Sequence, residues 1–159
     1  MNPLPLDPLV KVSRHVDAIF GAGTSDTLSD KLSFEFSRRT GRIKNFSLDG
    51  ELLATLRTDG GLALTIEGAR HFVKSNSKFR QNCVVPVEEA IPFVSEGRSL
   101  FCRHVKWCGQ NVHAGSDVAI LNGDDVIAVG VAMLSYSLMG KYTRGVAVKV
   151  REGLKGRTL

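Results

Sequence analysis

An apolar run of nine consecutive residues, residues 126–134, constrains this chain more than any other stretch. They follow an Asn-Gly-Asp-Asp turn signal at residues 122–125. A short, continuous apolar run that is bounded by such a signal is typical of a buried strand. The sequence therefore predicts a long strand here, and a second domain that is organised around it.

The residues on either side of this run predict a small barrel. A short helix is predicted over residues 88–95, and it ends at the step Gly97-Arg98-Ser99, which leads into a strand. A closing strand is predicted over residues 145–151. One short helix among several strands and turns at this spacing is typical of a small closed barrel. We therefore expect residues 83–155 to form a mostly β pseudo-barrel.

The beginning of the chain predicts a helix. The first eight residues include three prolines and should form an extended lead-in. Asp7 can then cap a helix that has Pro8 at its first position. Apolar residues recur at helical spacing after that point, so an amphipathic helix is predicted over about residues 8–20.

The rest of the first half predicts a small sheet with helices. Apolar and polar side chains alternate from Leu32 onwards, and Asp49-Gly50 is a two-residue hairpin signal between apolar strands. A helix follows at about residues 67–74, and the polar residues 74–82 are predicted to form a linker. Residues 1–80 are thus expected to be a separate domain, and the fold class of the whole chain is expected to be α+β.

Composition narrows the class of protein. The 159 residues are 43% hydrophobic and 23% charged, as in an ordinary globular protein, and the net charge of +5 is mild evidence for a polyanionic partner. No apolar run approaches the roughly 20 residues of a membrane helix. The start lacks the pattern of a secretory signal, so we expect a cytoplasmic protein without a membrane segment.

Cysteine and histidine residues do not predict a metal site or a catalytic site. On an extended strand Cys102 and Cys108 would lie about 20 Å apart, which is too far for one zinc ion. The three cysteines have no CxxC spacing and are typical of reduced thiols. No nucleophile elbow and no glycine-rich nucleotide loop is present. We expect no metal, no cofactor and no catalytic residue.

Several motifs in the second half resemble those of the PUA domain, the RNA-binding module of pseudouridine synthases and archaeosine transglycosylases. They are the step from Ala90-Ile91-Pro92-Phe93-Val94 to Gly97-Arg98-Ser99-Leu100-Phe101, then Ala114-Gly115-Ser116-Asp117-Val118, Ile127-Ala128-Val129-Gly130 and Gly145-Val146-Ala147-Val148-Lys149-Val150. Residues 36–43, 48–57 and 61–69 resemble the domain that precedes the PUA domain in archaeal tRNA-guanine transglycosylase. The resemblance covers roughly residues 30–153.

The resemblance implies that RNA lies against the first helix of the barrel, the strand after it and the last strand. At the Gly97 step, a phosphate could approach closely, free amides could donate to it, and Arg98 could supply a charged fork. Phe101 is either a core residue or a platform for an unpaired base, and both readings stay open. The expected RNA contacts are Gly97, Arg98, Ser99, Phe101, Arg103, Lys141, Arg144, Lys149 and Arg151.

A second basic cluster is predicted at a turn of the first domain. Arg38, Arg39, Arg42 and Lys44 crowd this turn and could hold another stretch of phosphate backbone. The alternative is a solvated hairpin tip without a ligand.

The family implies a function in tRNA modification. The catalytic barrel of the transglycosylase, with its aspartate nucleophile and zinc site, has no counterpart in 159 residues. We therefore expect a non-catalytic protein that binds tRNA at the acceptor stem and 3′ end, as a free-standing accessory subunit of a separate transglycosylase catalytic subunit that makes archaeosine. The alternatives are a ribosome- or translation-associated adaptor and an independent RNA-modifying enzyme. The oligomeric state stays open.

Overall fold

The computed structural model describes residues 7–156, which form two sheets and their covering helices. The α-helices are α1 (Pro8–Phe20), α2 (Ile66–Ser75), α3 (Ile91–Ser95) and α4 (Tyr136–Met139). The strands of the first sheet are β1 (Leu32–Phe36), β2 (Ile43–Leu48), β3 (Glu51–Leu56) and β4 (Leu62–Leu64). Those of the second are β5 (Cys83–Pro86), β6 (Leu100–Phe101), β7 (Val105–Cys108), β8 (Asp117–Asn122), β9 (Asp125–Ala132) and β10 (Val146–Gly153). Short 3-10 helices span Thr24–Thr27, Ser77–Asn82, Glu88–Ala90 and Cys102–His104.

Helix α1 has the bounds and the cap that the sequence predicts. The carboxylate of Asp7 accepts a hydrogen bond of 2.8 Å from the backbone N–H of Leu9, and proline begins the first turn. The helix buries Val12, Val16 and Phe20 against the first sheet. The predicted extended lead-in at residues 1–6 lies outside the described residues. No helix within residues 7–156 has the length and apolar character needed to cross a membrane.

The first sheet is an antiparallel meander in the order β1-β2-β3-β4. Asp49 and Gly50 have φ angles of 52° and 82°, and they form the two-residue turn between β2 and β3. A two-residue type I′ hairpin turn needs positive φ at both central residues, because only then does the turn match the twist of the strands. Asp-Gly adopts these angles readily. The predicted hairpin is confirmed.

The second sheet is a nearly closed pseudo-barrel in the order β6-β10-β9-β8-β5-β7, with β5 and β8 parallel. The apolar run forms β9, which pairs on one side with β8 and on the other with β10. Val126, Ala128 and Val129 are fully buried, so the predicted strand is confirmed. It ends at Ala132, and the single-turn helix α4 that follows was not predicted.

The predicted linker is wrong, because residues 77–82 form a 3-10 helix that belongs to the core. Phe79 is completely buried, and its ring centroid lies 5.2 Å from that of Phe20 and 5.4 Å from that of Phe72. The same core cluster continues into the barrel through four residues of β8 and β9, Ala119, Leu121, Val126 and Val129. This cluster is therefore shared by the two sheets, and the barrel has a second cluster of its own that includes Leu100, Ile120 and Val148.

Polar contacts hold the two sheets in a fixed relation. Arg57 Nη1, after β3, lies 3.1 Å from Asp117 Oδ1 at the start of β8, and Arg57 Nη2 donates to the carbonyl of Gly115 at 3.3 Å. The buried amide of Asn82 donates to the carbonyl of Phe20 at 2.8 Å. Since these bonds join distant parts of the chain, they orient the first sheet against the barrel.

Candidate nucleic-acid interface

The turn after α3 is a helix C-cap that leads the chain into β6. Gly97 has a φ of 100°, its N–H donates to the carbonyl of Val94 at 3.0 Å, and the N–H of Arg98 donates to the carbonyl of Phe93 at 3.0 Å. These two bonds are the Schellman arrangement, in which glycine takes the left-handed position. The expectation that free amides bind phosphate here is wrong for Gly97 and Arg98, because both amides donate within the turn.

The same turn places an arginine on an exposed aromatic ring. The guanidinium carbon of Arg98 lies 5.7 Å from the ring centroid of Phe93, within the range of a cation–π contact. Phe93 is 53% exposed, and Arg98 is exposed and forms no ion pair within residues 7–156. Sequence reasoning missed Phe93 as a site residue. The signal for it was the spacing to Arg98, since the side chains at these two positions of a C-cap usually touch.

Phe101 lies on the outer face of β6 and not in the core. Neighbouring Leu100 is fully buried, whereas Phe101 is 48% exposed, because successive side chains of a strand point to opposite faces. Phe101 pairs with Val146 at the start of β10. Of the two readings of Phe101, the core reading is wrong, and an exposed ring is available for stacking.

Exposed basic residues lie near Phe101 along the chain and on the neighbouring strand β10. The N–H of Cys102 donates to the carbonyl of Gly145 at 2.9 Å. Arg103 comes directly after Cys102 in the chain, and Arg144 comes directly before Gly145. Lys149 is exposed on β10, and Lys141 is exposed in the segment before that strand. We refer to this set as the β6–β10 surface, which comprises Phe93, Arg98, Phe101, Arg103, Lys141, Arg144 and Lys149.

The acidic residues of the barrel turn lie at the other end of β9. Asp124 and Asp125 are at its start, and Asp124 Oδ1 lies 3.1 Å from Arg80 Nη1. Lys149 pairs with Val131, near the end of the strand. A strand of this length spans about 23 Å, at about 3.3 Å per residue. The negative turn and the basic segment around Lys149 are therefore well separated, although the charges of the domain nearly balance.

Two predicted contacts, Ser99 and Arg151, are engaged inside the protein. The hydroxyl of Ser99 accepts a hydrogen bond of 3.4 Å from the N–H of Val150. Arg151 Nη1 lies 3.7 Å from Asp117 Oδ1, and Arg151 also donates to the carbonyl of Leu64 in the first sheet. Burial raises the pKa of Asp117, although Arg57 and Arg151 act to lower it. Arg151 therefore joins the two sheets, and we leave it out of the β6–β10 surface.

The second basic cluster borders a cavity of about 1240 Å³ between α1 and the β1–β2 turn. Arg39, Arg42 and Lys44 line it, whereas Arg38, which is also exposed, does not. The Nζ atom of Lys44 lies 3.7 Å from Glu35 Oε1, and both side chains are more than half exposed. The structure thus brings three of the four predicted residues to one cavity, which we call the α1 groove.

The cysteines are poorly suited to chemistry at neutral pH. Cys83, Cys102 and Cys108 are buried free thiols. Burial raises the pKa of Cys83 to about 12 and that of Cys108 to about 11. Because the thiolate is the nucleophile and the metal ligand, thiols with such pKa values are largely unreactive near pH 7.

Comparison with known families identifies both halves of the chain. Residues 82–154 match the PUA domain, and residues 11–78 match the patch-forming domain C2 of tRNA-guanine transglycosylase. The chain is 36% identical over 151 residues to the tRNA-guanine(15) transglycosylase of Methanothermobacter thermautotrophicus. That match covers 93% of this chain and 23% of the relative, so the chain spans about a quarter of the length of the relative.

Solved structures share the fold at lower sequence identity. A hypothetical protein of Pyrococcus horikoshii superposes with a TM-score of 0.71 at 18% identity, over 96% of this chain and 93% of its own. A conserved PUA domain protein of Thermoplasma acidophilum superposes with a TM-score of 0.64 at 16% identity, over 92% and 91% of the two chains. The arrangement of both halves therefore recurs in these two proteins.

Proposed function

From its membership of the PUA-domain proteins, we propose that this chain binds tRNA through the β6–β10 surface. Ahead of the PUA domain, the chain carries the patch-forming domain C2 of tRNA-guanine transglycosylase. PUA domains are RNA-binding modules. The match to the C-terminal part of archaeal transglycosylases relates the chain to tRNA.

One observation carries the proposal, which is the half-exposed ring of Phe101 on a strand whose adjoining segments carry exposed basic residues. Proteins hold unpaired RNA bases by stacking them on such rings, and arginine and lysine side chains bind the adjoining phosphates. Arg98 also supports this role, because its guanidinium is exposed above Phe93 and has no carboxylate partner within residues 7–156. A flat aromatic surface next to cations suits a polyanion with exposed bases better than it suits a small apolar ligand.

The acceptor end of tRNA offers both features that this surface needs. Its 3′ CCA is single-stranded and can place a base on Phe101, and the adjoining stem presents phosphates to Arg103, Arg144 and Lys149. In this arrangement the phosphates set the position of the RNA, and the stacked base distinguishes the unpaired end from a plain duplex. Binding is expected to weaken as salt is raised, since neutralised phosphates release counterions.

Substituting Phe101 tests this arrangement directly. We expect Phe101→Ala to lower the affinity for full-length tRNA by about fivefold or more, because a stacked base contributes about 1–3 kcal/mol. Removing the 3′ CCA from the tRNA should have a similar effect on the wild type and little further effect on the variant. The measurement is equilibrium binding of both proteins to both RNAs at fixed salt. Equal affinity of the wild type for intact and trimmed tRNA would show that the acceptor end is not the ligand.

The proposal extends to a catalytic partner. The whole relative is named for exchange of guanine in tRNA, and this chain spans 23% of its length, so the chemistry would come from a transglycosylase catalytic subunit in the cytoplasm. The chain then acts as an accessory, non-catalytic subunit in archaeosine formation. We expect a catalytic subunit from the same organism to co-purify with the chain and to exchange guanine in tRNA faster in its presence. Co-sedimentation with ribosomes, without any effect on guanine exchange, would instead support the alternative of a translation-associated adaptor.

A further inference from the structure

The α1 groove is larger than the usual small-molecule pocket. Its volume is about 1240 Å³, whereas small-molecule pockets are usually about 300–1,000 Å³. Its walls are the first turns of α1, the β1–β2 turn and the β3–β4 turn, so it is open along its length to solvent. Such a shape suits a short segment of a polymer.

The charge of the groove is positive and mostly uncompensated. The cations that line it are Lys11, Arg39, Arg42, Lys44 and Arg57, against the single carboxylate of Asp7. Asp7 already accepts the N–H of Leu9, and Arg57 is bound to Asp59 and Asp117. Lys11, Arg39 and Arg42 form no ion pair within the described part of the chain. Three exposed cations around one groove favour an anionic polymer.

An exposed aromatic ring stands beside these cations. Phe36 is 48% exposed at the end of β1, and the pairing register with β2 shifts between Glu35 and Phe36. Such a bulge turns the side chain away from the regular face of the sheet. The groove is also lined by the half-buried apolar side chains of Ile43 and Leu56. It therefore offers contacts for a flat apolar group as well as for negative charge.

The groove is preformed in the folded chain. The Nε2 atom of His15 lies 2.7 Å from the carbonyl of Gly60, which fastens α1 to the β3–β4 turn. The carboxylate of Asp59 accepts the N–H of Gly61 at 2.9 Å and shapes this turn. Arg57, at the edge of the groove, is joined to the barrel through Asp117. The groove and the barrel thus keep a fixed relation.

We infer that the α1 groove binds a second, unpaired segment of the same RNA that contacts the β6–β10 surface. Phosphates bind to Lys11, Arg39 and Arg42, and one base stacks on Phe36. This inference rests on the proposed function, since it takes the RNA from that site. An acidic protein segment would satisfy the cations, but it would leave the exposed ring and the apolar wall without matched partners, whereas a strand of unpaired nucleotides supplies phosphates and bases together.

Two RNAs and two pairs of substitutions test the inference. The RNAs are full-length tRNA and a short hairpin that reproduces only the acceptor stem with its CCA end. We expect Arg39→Glu/Arg42→Glu to lower the affinity for full-length tRNA at least about tenfold, as the loss of charged hydrogen bonds would. Affinity for the hairpin should stay within about twofold of the wild type, because the inference assigns the groove to a segment of the tRNA outside the acceptor end. Phe36→Ala should show the same selectivity for full-length tRNA.

Each outcome has a defined meaning. Lys31→Glu/Lys78→Glu changes the net charge by the same amount at exposed sites that do not line the groove, and it should leave both affinities within about twofold of the wild type. Wild-type binding of full-length tRNA by both groove variants, or equal losses on the two RNAs, would overturn the inference. If Phe101→Ala leaves hairpin binding unchanged while the groove variants lose full-length tRNA, the proposed β6–β10 site fails and the groove remains an RNA site.

Discussion

Replacing Phe79 by alanine is expected to lower the free energy of unfolding by about 3–5 kcal/mol, the range for truncating a buried phenylalanine. The ring is completely buried and touches the rings of Phe20 and Phe72, so its removal leaves a cavity among side chains from three separate segments. Because this core continues into β8 and β9, the loss of the Phe79 ring should destabilise the barrel as well as the first sheet.

Urea denaturation, followed by both tryptophan fluorescence and circular dichroism, measures this effect. The single tryptophan, Trp107, is in the barrel, whereas circular dichroism also reports the helices of the first half. We expect the two signals to change together in the wild type and in the variant. Phe93→Ala, which truncates a ring that is 53% exposed, should lower the free energy by less than about 1 kcal/mol. A loss below about 1 kcal/mol for Phe79→Ala, or separate transitions of the two signals, would contradict the shared core.

Elements with strong local signals were predictable from the sequence. The Asp49-Gly50 turn, the Asp7 cap of α1 and the apolar strand β9 were all predicted close to their observed positions. Each depends on the preferences of a few neighbouring residues, such as tolerance of positive φ or a side chain that accepts from a helix N–H. Such preferences act before any tertiary contact forms, so the sequence alone reveals them.

The segment of residues 77–82 could not be predicted in the same way. Its composition is polar, and Phe79 is its single apolar residue, so it has the pattern of a loop. Its 3-10 helix is stabilised by tertiary contacts instead, through the buried ring of Phe79 and the hydrogen bond from Asn82 to Phe20. Helix α4 has only one turn and is anchored by buried Met139, which likewise depends on the barrel around it.

The sequence indicated most residues of the candidate site, but not Phe93 and not the orientation of the site. The sequence indicated Arg98, Phe101 and Lys149, but not which face of β6 the barrel would cover. It also could not show that Arg151, two residues after Lys149, turns to Asp117 and Leu64. Of the α1 groove, the sequence indicated only the basic turn, because the helix that forms the opposite wall is distant in sequence.

The double substitution Arg98→Glu/Lys149→Glu is expected to lower the affinity for tRNA by roughly 100-fold or more. Each residue is exposed and unpaired within residues 7–156, so each can form a charged hydrogen bond to phosphate. Such a bond contributes about 1.5–3 kcal/mol, which corresponds to at least about tenfold for each position. Repulsion between the new carboxylates and the phosphates adds to the loss. The fold should be retained, because neither side chain is buried.

The salt dependence of binding should change as well. Each phosphate contact that is lost lowers the slope of log affinity against log salt by about 0.7–0.9, so the double variant should lose about 1.4–1.8 in slope. A general loss of folded protein would lower the amount that binds without changing the slope. The slope therefore separates a lost contact from a damaged fold.

The central claim is that this chain holds tRNA on the β6–β10 surface, and the tRNA affinity of Arg98→Glu/Lys149→Glu over a range of salt tests it most directly. Lys31→Glu/Lys78→Glu carries the same change in net charge away from that surface and serves as the reference. We predict a loss of roughly 100-fold and a reduced salt slope for the first variant, with the reference near the wild type. Equal affinities and slopes for the two variants would contradict the claim, because tRNA binding would then depend only on the net charge of the chain.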